Sequence, residues 1–295
     1  MGNIIVTGAR GFVGSYICEL LFRSEYDLIL IDRYKSVTSQ NSAMYFATDM
    51  TKDSSIEECA TGITKADIMI HLAANISVPG NMKSMCDNLS MVYSAVEIAK
   101  ATGVRHFIYL SSIPVIGAIR YIPIDEDHPV FPKTQYHLSK YVGEKMISAY
   151  RDLFETISII RISSPIGRGM RENNLLSYIL SQIKHSREIE LFGEGERVQN
   201  YIDVRDIAEA VMKIIIHRSD GLYLIAGKQS VSNKELVSIC RGITSSDVKV
   251  VKGMQPDLEE ENKWIISTNK ARRDFGYSPL YSLEESIAWI WEGIS

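Results

Sequence analysis

The amino-acid sequence predicts a doubly wound α/β fold, a parallel sheet with helices on both faces, followed by a smaller α/β lobe toward the C-terminus. Three observations predict it. Short Ile- and Val-rich runs alternate with amphipathic stretches of helical length over the first 165 residues. A glycine-rich turn joins the first run to the first such stretch, and after Arg161 the alternation gives way to a more irregular pattern. Parallel strands need long crossovers, and helices are the usual ones. Strands are therefore expected at 3–7, 28–31, 67–71, 107–111 and 156–161, each about five residues, as buried strands usually are. Beyond Arg161 come Ser163-Ser164-Pro165, the turn Gly193-Glu194-Gly195 and an acidic, weakly periodic stretch at 256–262. Within this region 204–217 reads as a helix and 221–226 as a strand that returns to the first sheet. The division expected is a first domain over 1–165 that also receives about 200–226, and a lobe built from 166–199 and 227–295. Ser282-Leu283-Glu284-Glu285 is a capping box that opens a last helix.

Composition narrows the function classes. The chain has 295 residues, 45% hydrophobic and 23% charged, with 32 Lys+Arg against 36 Asp+Glu for a net charge of −4. Those proportions exclude a disordered tail, a collagen-like chain and a small disulfide scaffold. A mildly acidic balance gives no field that gathers a nucleic-acid backbone or an anionic membrane, so neither partner is expected. Cys18, Cys59, Cys86 and Cys240 stand far apart, and the six histidines form no H-E-x-x-H pattern. The cysteines read as core thiols of a cytoplasmic protein, and no metal is expected. No run approaches the 18 apolar residues of a membrane span, and the first residues lack the pattern of a signal peptide.

The first strand runs into Thr7-Gly8-Ala9-Arg10-Gly11-Phe12-Val13-Gly14, after which Phe12, Val13, Ile17, Leu20 and Leu21 repeat at helical spacing. Glycines at such a turn let free N–H groups and the positive helix end meet a pyrophosphate. The second strand ends in Asp32, eighteen residues beyond Gly14, where a carboxylate can accept hydrogen bonds from an adenosine ribose and repels a 2′-phosphate. The adjoining Arg33 is the counter-evidence, because a guanidinium could accept that phosphate or stack on adenine. NAD is favoured over NADP.

Tyr136 and Lys140 stand four apart on one predicted helix that continues through Val142, Lys145, Met146 and Ala149. A cation beside a phenol favours the phenolate and lowers its pKa from about 10, which makes Tyr136 a usable general base. The strand before it ends in Tyr109-Leu110-Ser111-Ser112, so a serine can orient a substrate hydroxyl. A helical Tyr/Lys pair alone is commonplace. Here it follows a dinucleotide loop and a strand-end serine in the right order.

With these residues in place the chain resembles, along essentially its whole length, the extended short-chain dehydrogenases/reductases, and within them the nucleotide-sugar epimerases of the UDP-galactose 4-epimerase type. The resemblance implies a Rossmann-type domain in which Gly8, Gly11, Phe12, Val13, Gly14, Asp32 and Arg33 hold NAD. Asp49 and Met50 would lie beside adenine, and Leu72, Ala73 and Ala74 would line the dinucleotide. It also implies cofactor contacts from Asn88, Ser111, Tyr136, Lys140 and Pro165, the last near nicotinamide, and casts Ser112 as the catalytic Ser/Thr. Substrate contacts are implied for Ser112, Ser164, Asn174, Leu175, Phe192, Arg197 and Gln199. The implied reaction removes a hydroxyl proton through Tyr136 and a hydride to NAD, then returns the hydride to the other face of the keto sugar. The family also pairs two helices across a homodimer, for which Val92, Tyr93, Val96, Val142 and Met146 are the candidates.

The departures carry information as well. Ser164 stands where these epimerases commonly have Asn, and Ile116 replaces the Tyr of a V-Y-G segment. Gln199 and Met254 occupy positions where diphosphate-binding arginines are expected, with Arg197 the candidate to take over. Ile113-Pro114 follows Ser112 where the family's dehydratases carry Asp-Glu. A one-way NAD(P)-dependent reductase or dehydrogenase of a keto sugar or other small carbonyl compound is the alternative, and a non-catalytic dinucleotide-binding regulator is a second.

Overall fold

A computed structural model describes residues 2–34, 43–172 and 174–294 of the chain. The first half alternates as the pattern requires: β1 (Asn3–Thr7), α1 (Phe12–Leu21), β2 (Asp27–Asp32), β3 (Met44–Ala47), α2 (Ser54–Gly62), β4 (Ile68–His71), α3 (Met82–Thr102), β5 (His106–Ser112), α4 (Gln135–Ala149) and β6 (Thr156–Ile162). The second half contains β7 (Ser164–Ile166), α5 (Leu175–Lys184), β8 (Ile189–Leu191), β9 (Val198–Asp203), α6 (Val204–His217), β10 (Gly221–Ile225), β11 (Ser230–Ser232), α7 (Asn233–Thr244), β12 (Val250–Lys252), α8 (Asn269–Phe275) and α9 (Leu283–Glu292).

Among the described residues the main sheet has seven strands in the order β10-β6-β5-β4-β1-β2-β3. Every pairing in it is parallel. Strand order reverses between β1 and β4, which opens a crevice at the carboxyl ends of these two strands, where doubly wound sheets bind ligands. Helices α1 and α6 cover one face through Ile17, Leu21, Ile207, Val211 and Ile214. Helix α3 covers the other through Val92, Ala95, Val96 and Ala99, joined by Ile147 of α4. A strand missed by sequence reasoning, β3, is a four-residue edge strand with no fully buried position, too short and too exposed to show a period.

The chain leaves the main sheet at β7, which pairs with β9, itself paired with β11, in a second sheet, and β8 pairs with β12 in a two-stranded ribbon. A separate core forms there around Leu176, Ile179, Leu236, Val237 and Ile287. The capping box at Ser282 and Glu285 is present and starts α9. Two expectations need correction. Cys86 is exposed, unlike the three buried thiols Cys18, Cys59 and Cys240. Val92 and Val96 are only 2% and 1% exposed, spent on the subunit's own core, so of the α3 candidates for an assembly face only Tyr93 is outside, at 45%.

Candidate active site

The crevice begins at the glycine turn. Gly8 adopts a left-handed φ of 68°, and a Cβ there would lie 2.7 Å from the backbone nitrogen of Ala73. The β1 turn and the β4 turn are therefore pressed together, an approach open only to glycine. The N–H of Gly11 donates to the Gly8 carbonyl at 3.0 Å, and a Cβ on Gly14 would stand 2.2 Å from that same oxygen. Gly11 caps α1 with no side chain on the first-turn N–H groups. Such an uncapped helix end at a switch point suits a pyrophosphate, and the residues present fit a dinucleotide. Thr7 braces the crevice from behind: its hydroxyl accepts from Leu72 and Ala73 N–H at 3.2 and 3.3 Å and bonds His71 Nδ1 at 2.8 Å.

At the end of β2, Asp32 accepts from the Arg10 N–H at 3.0 Å. Arg33 turns toward Asp49 and pairs with it at 3.8 Å. Partial burial raises the Asp49 carboxyl, but the Thr51 N–H and hydroxyl together with Arg33 outweigh it and hold the pKa below the ordinary value. Arg33 thus has an anionic partner of its own. Met50 is buried, its carbonyl accepting from Ser94 on α3 at 2.9 Å.

Helix α4 lies against β5 because Gly143 permits it: a Cβ there would sit 2.4 Å from the Tyr109 hydroxyl. The contact carries Lys140 inward, where it is 5% exposed, and its Nζ donates to the Leu110 carbonyl at 2.8 Å over the Tyr109 ring. Burial pulls the Lys140 ammonium down to about 8, with Glu144 acting the other way. Tyr136 stands at the start of the helix, its N–H donating to the Pro79 carbonyl at 3.3 Å. Ser112 ends β5, half-buried. Among the described residues no protein group hydrogen-bonds the hydroxyl of either Tyr136 or Ser112.

The expected acidification of Tyr136 by Lys140 is not what this geometry gives. Burial pushes the Tyr136 phenol up to about 12, and the charge that opposes it is Arg171. Desolvation acts on the phenolate directly, whereas the lysine ammonium is engaged by the Leu110 carbonyl. The Ser111 side chain is also spent elsewhere: its hydroxyl donates to Glu144 Oε1 at 2.5 Å, and Arg161 binds the same carboxylate through Nε at 3.0 Å and Nη2 at 2.7 Å. This buried pair locks α4 to β5 and β6. Its signal in the sequence was a lone Arg161 within an apolar strand, since a buried charge requires a partner.

Asn88 is a brace for the crevice. Its Oδ1 accepts from the Asn75 N–H at 2.7 Å and its Nδ2 donates to Ser139 on α4 at 2.9 Å, so α3, α4 and the loop after β4 meet on one amide. Leu72, Ala73 and Ala74 follow β4 and are half-buried, as are Phe12 and Val13 at the start of α1. Pro165 sits in β7, paired with Ile202.

Farther into the lobe a cavity of about 260 Å³ is lined by Ser163, Ser164, Gln199, His137, Glu259 and Trp264, among others. Ser164 and Gln199 share this cavity, although the Gln199 amide donates to Asn233 at 3.1 Å. Arg197 does not offer a free cation to a diphosphate. It is held by Asp257 at 3.3 Å and Glu259 at 3.4 Å, carboxylates from the acidic stretch that carries no helical or strand period. Asn174 is likewise occupied, capping α5 through the Ser177 N–H at 2.8 Å and donating to the Arg171 carbonyl at 3.0 Å. Leu175 opens that helix, and Phe192 is 48% exposed beyond β8. Ile116 is fully buried with Ile113 and Ile124, an apolar cluster that leaves no place for a tyrosine hydroxyl. Sequence reasoning missed Arg171, His137 and Ser163. Arg171 follows an irregular segment with no motif, and only the fold brings it to the Ile76 carbonyl.

The fold that carries this crevice has counterparts of known structure. A UDP-glucose 4-epimerase of Thermotoga maritima, solved with UDP-glucose, superposes with a TM-score of 0.88 at 22% identity over 99% of this chain and 98% of that one. A UDP-glucuronic acid 4-epimerase of Bacillus cereus, solved with UDP-glucuronic acid and NAD, superposes with a TM-score of 0.87 at 22% identity over 99% and 98%. In sequence, a putative UDP-glucose 4-epimerase of Methanocaldococcus jannaschii is 27% identical over 96% of this chain and 95% of its own length. The NAD dependent epimerase/dehydratase family model matches residues 4–226, a span that runs from β1 through the end of β10 and so takes in the glycine turn, Ser112, Tyr136 and Lys140 together. By that match the chain belongs to the NAD dependent epimerase/dehydratase family.

Proposed function

We propose that this protein interconverts the C4 epimers of a UDP-sugar, using tightly held NAD. The observation that carries the reading is the pair of hydroxyls, Tyr136 and Ser112, left without protein partners among the described residues where α4 and the end of β5 meet the dinucleotide crevice. The named relatives support the substrate class. NAD, when bound, supplies the acceptor that takes and returns the hydride. Tyr136 moves the proton of the reacting hydroxyl, Ser112 orients that hydroxyl, and Lys140 fixes the Leu110 carbonyl beneath the site. The dehydratase branch is disfavoured, because Ser112 is followed by Ile113, which is 1% exposed, and by Pro114, neither able to act as acid or base. The pairing of Arg33 with Asp49 favours NAD over NADP.

The cofactor unit is taken to be 1–165 with about 200–226, and the substrate lobe 166–199 with 227–295. A homodimer through the exposed sides of α3 and α4, where Tyr93 and Leu138 lie, and a cytoplasmic setting consistent with free thiols complete the reading. Among the described residues no helix is long and apolar enough to cross a membrane. The deciding experiment identifies the dinucleotide that co-purifies and assays a panel of UDP-sugars without added cofactor. Epimer interconversion with NAD unchanged in the protein is expected. Turnover that consumes one equivalent of reduced cofactor per product would replace this reading with a reductase.

A further inference from the structure

We propose that His137 reads the sugar: its Nε2–H donates to an oxygen substituent beside the hydroxyl that Tyr136 handles, on the C3 or the C5 side of the ring. This rests on the epimerase reading and deepens it. His137 follows Tyr136 in the first turn of α4, and the two rings meet edge to face with centroids 5.3 Å apart. It also lines the cavity of about 260 Å³ that Ser163 and Ser164 share. The chain neighbours of both unpartnered hydroxyls are on that wall, since Ile113 and Pro114 follow Ser112 and His137 follows Tyr136. The cavity is therefore adjacent to the reacting centre. Sites for a whole drug-sized ligand measure about 300–1,000 Å³, so a space of this size suits one ring or its substituents.

The hydrogen-bond pattern around the imidazole assigns its proton. Thr134 caps α4, and its Oγ1 accepts from the His137 N–H at 3.2 Å. The same hydroxyl lies 2.9 Å from His137 Nδ1. With Oγ1 already accepting, its own proton goes to Nδ1, and a neutral ring then carries its proton on Nε2. Burial keeps the ring neutral, pulling its pKa down to about 4. Nε2 has no partner among the described residues, which leaves it as the donor that His137 brings to the cavity wall.

Much of the remaining wall is committed to the protein. Asn200 gives its amide N–H groups to the Gly227 and Gln229 carbonyls and the Ser230 hydroxyl, and Gln199 donates to Asn233. Glu259, the one carboxylate of the lining, is held by Lys133 and Arg197. Ser163 is different: it is 5% exposed and its hydroxyl has no partner among the described residues. A buried hydroxyl that the protein leaves unpaired is satisfied by what enters the cavity. Val78, Ile113, Trp264 and Ile266 supply apolar surface. Polar groups set among apolar side chains suit a sugar ring, with its C–H faces and hydroxyl edges.

The test uses NAD-loaded wild type, His137→Phe and His137→Gln with UDP-glucose, its 3-deoxy and 6-deoxy analogues and UDP alone, by turnover and by titration calorimetry. His137→Phe keeps a ring against Tyr136 and removes the donor. UDP-glucose should then bind roughly 5- to 50-fold more weakly, the scale of a lost hydrogen bond, with UDP changed less than about twofold. His137→Gln, which retains an N–H, should recover part of the loss. The analogue that lacks the contacted oxygen should bind weakly already in wild type, and His137→Phe should cost it nothing more. Equal weakening of UDP and UDP-glucose in His137→Phe, or the same weakening of UDP-glucose and both analogues, would assign the histidine to structure and overturn the proposal. Unchanged UDP-glucose binding in His137→Phe would overturn it too, as would wild type that binds UDP-glucose no better than UDP. Should no sugar be turned over by wild type, the epimerase reading falls while the calorimetric comparison still decides the role of His137. His137→Leu, which also lacks the donor, takes the place of a His137→Phe that does not fold.

Discussion

Tyr136 and Lys140 divide the work differently from what their helical spacing suggested. The ammonium holds a backbone carbonyl under the site, and the phenol is desolvated with Arg171 as its opposing charge. Tyr136→Phe keeps the ring and its contact with the neighbouring His137 ring but removes the hydroxyl proposed to take the proton. Turnover should fall by about a hundredfold or more, with NAD affinity nearly unchanged. Steady-state rates beside a dinucleotide titration check this, and wild-type turnover in the variant would remove Tyr136 from the mechanism. Lys140→Met should harm both quantities. It deletes the bond to Leu110 and leaves that carbonyl buried without its donor, at about 1–3 kcal/mol.

At the scale of elements, the site is made by three close approaches: the β1 turn on the β4 turn at Gly8, α1 on its own turn at Gly14, and α4 on β5 at Gly143. The helix–strand seam is further tied by Glu144, Arg161 and Ser111, whose hydrogen bonds offset the cost of two buried charges. Gly14→Ala places a methyl 2.2 Å from the Gly8 carbonyl, so the turn must open. Overpacking of this kind costs about 1–3 kcal/mol. The melting temperature should drop by several degrees, and NAD should bind at least tenfold more weakly because the N–H groups of α1 move. Calorimetric binding and thermal melts measure both, and an unaltered NAD affinity would detach the turn from cofactor recognition.

Over the whole molecule, acid stability depends on histidines buried neutral in the main sheet. His71 and His106 are 0% and 5% exposed, and burial lowers their pKa from 6.5 to about 3 and about 4. The folded values lie below the unfolded one, so the unfolded chain takes up protons first as pH falls. Stability is full above about pH 6.5 and is lost progressively toward pH 4, by up to about 1.4 kcal/mol per pH unit for each histidine. Urea midpoints at pH 7 and pH 5 should show the decline, and His106→Gln, which keeps a partner for Ser158, should reduce it. Equal midpoints at both pH values in the wild type would contradict this account.

The order of elements through β6 apart from the edge strand β3, the glycine turn, the Tyr136/Lys140 helix and the returning segments α6 and β10 were legible in the sequence. Each rests on local chemistry: apolar period, turn glycines, capping residues and spacing along one helix. Strand order, the crevice between β1 and β4 and the identity of the buried partners were not, because they join residues tens to a hundred positions apart. Arg161 in an apolar strand announced a partner but could not name Glu144. Arg197 looked available until the fold brought Asp257 and Glu259 to it, and Val92 and Val96 looked like an assembly face until α3 turned them onto the sheet. Arg171 carries no motif at all, and its bond to the Ile76 carbonyl is decided only where the lobe folds back over the loop after β4. Local sequence determines what each element is and which chemistry it carries, and the long-range packing of those elements decides which charges remain free to meet a substrate.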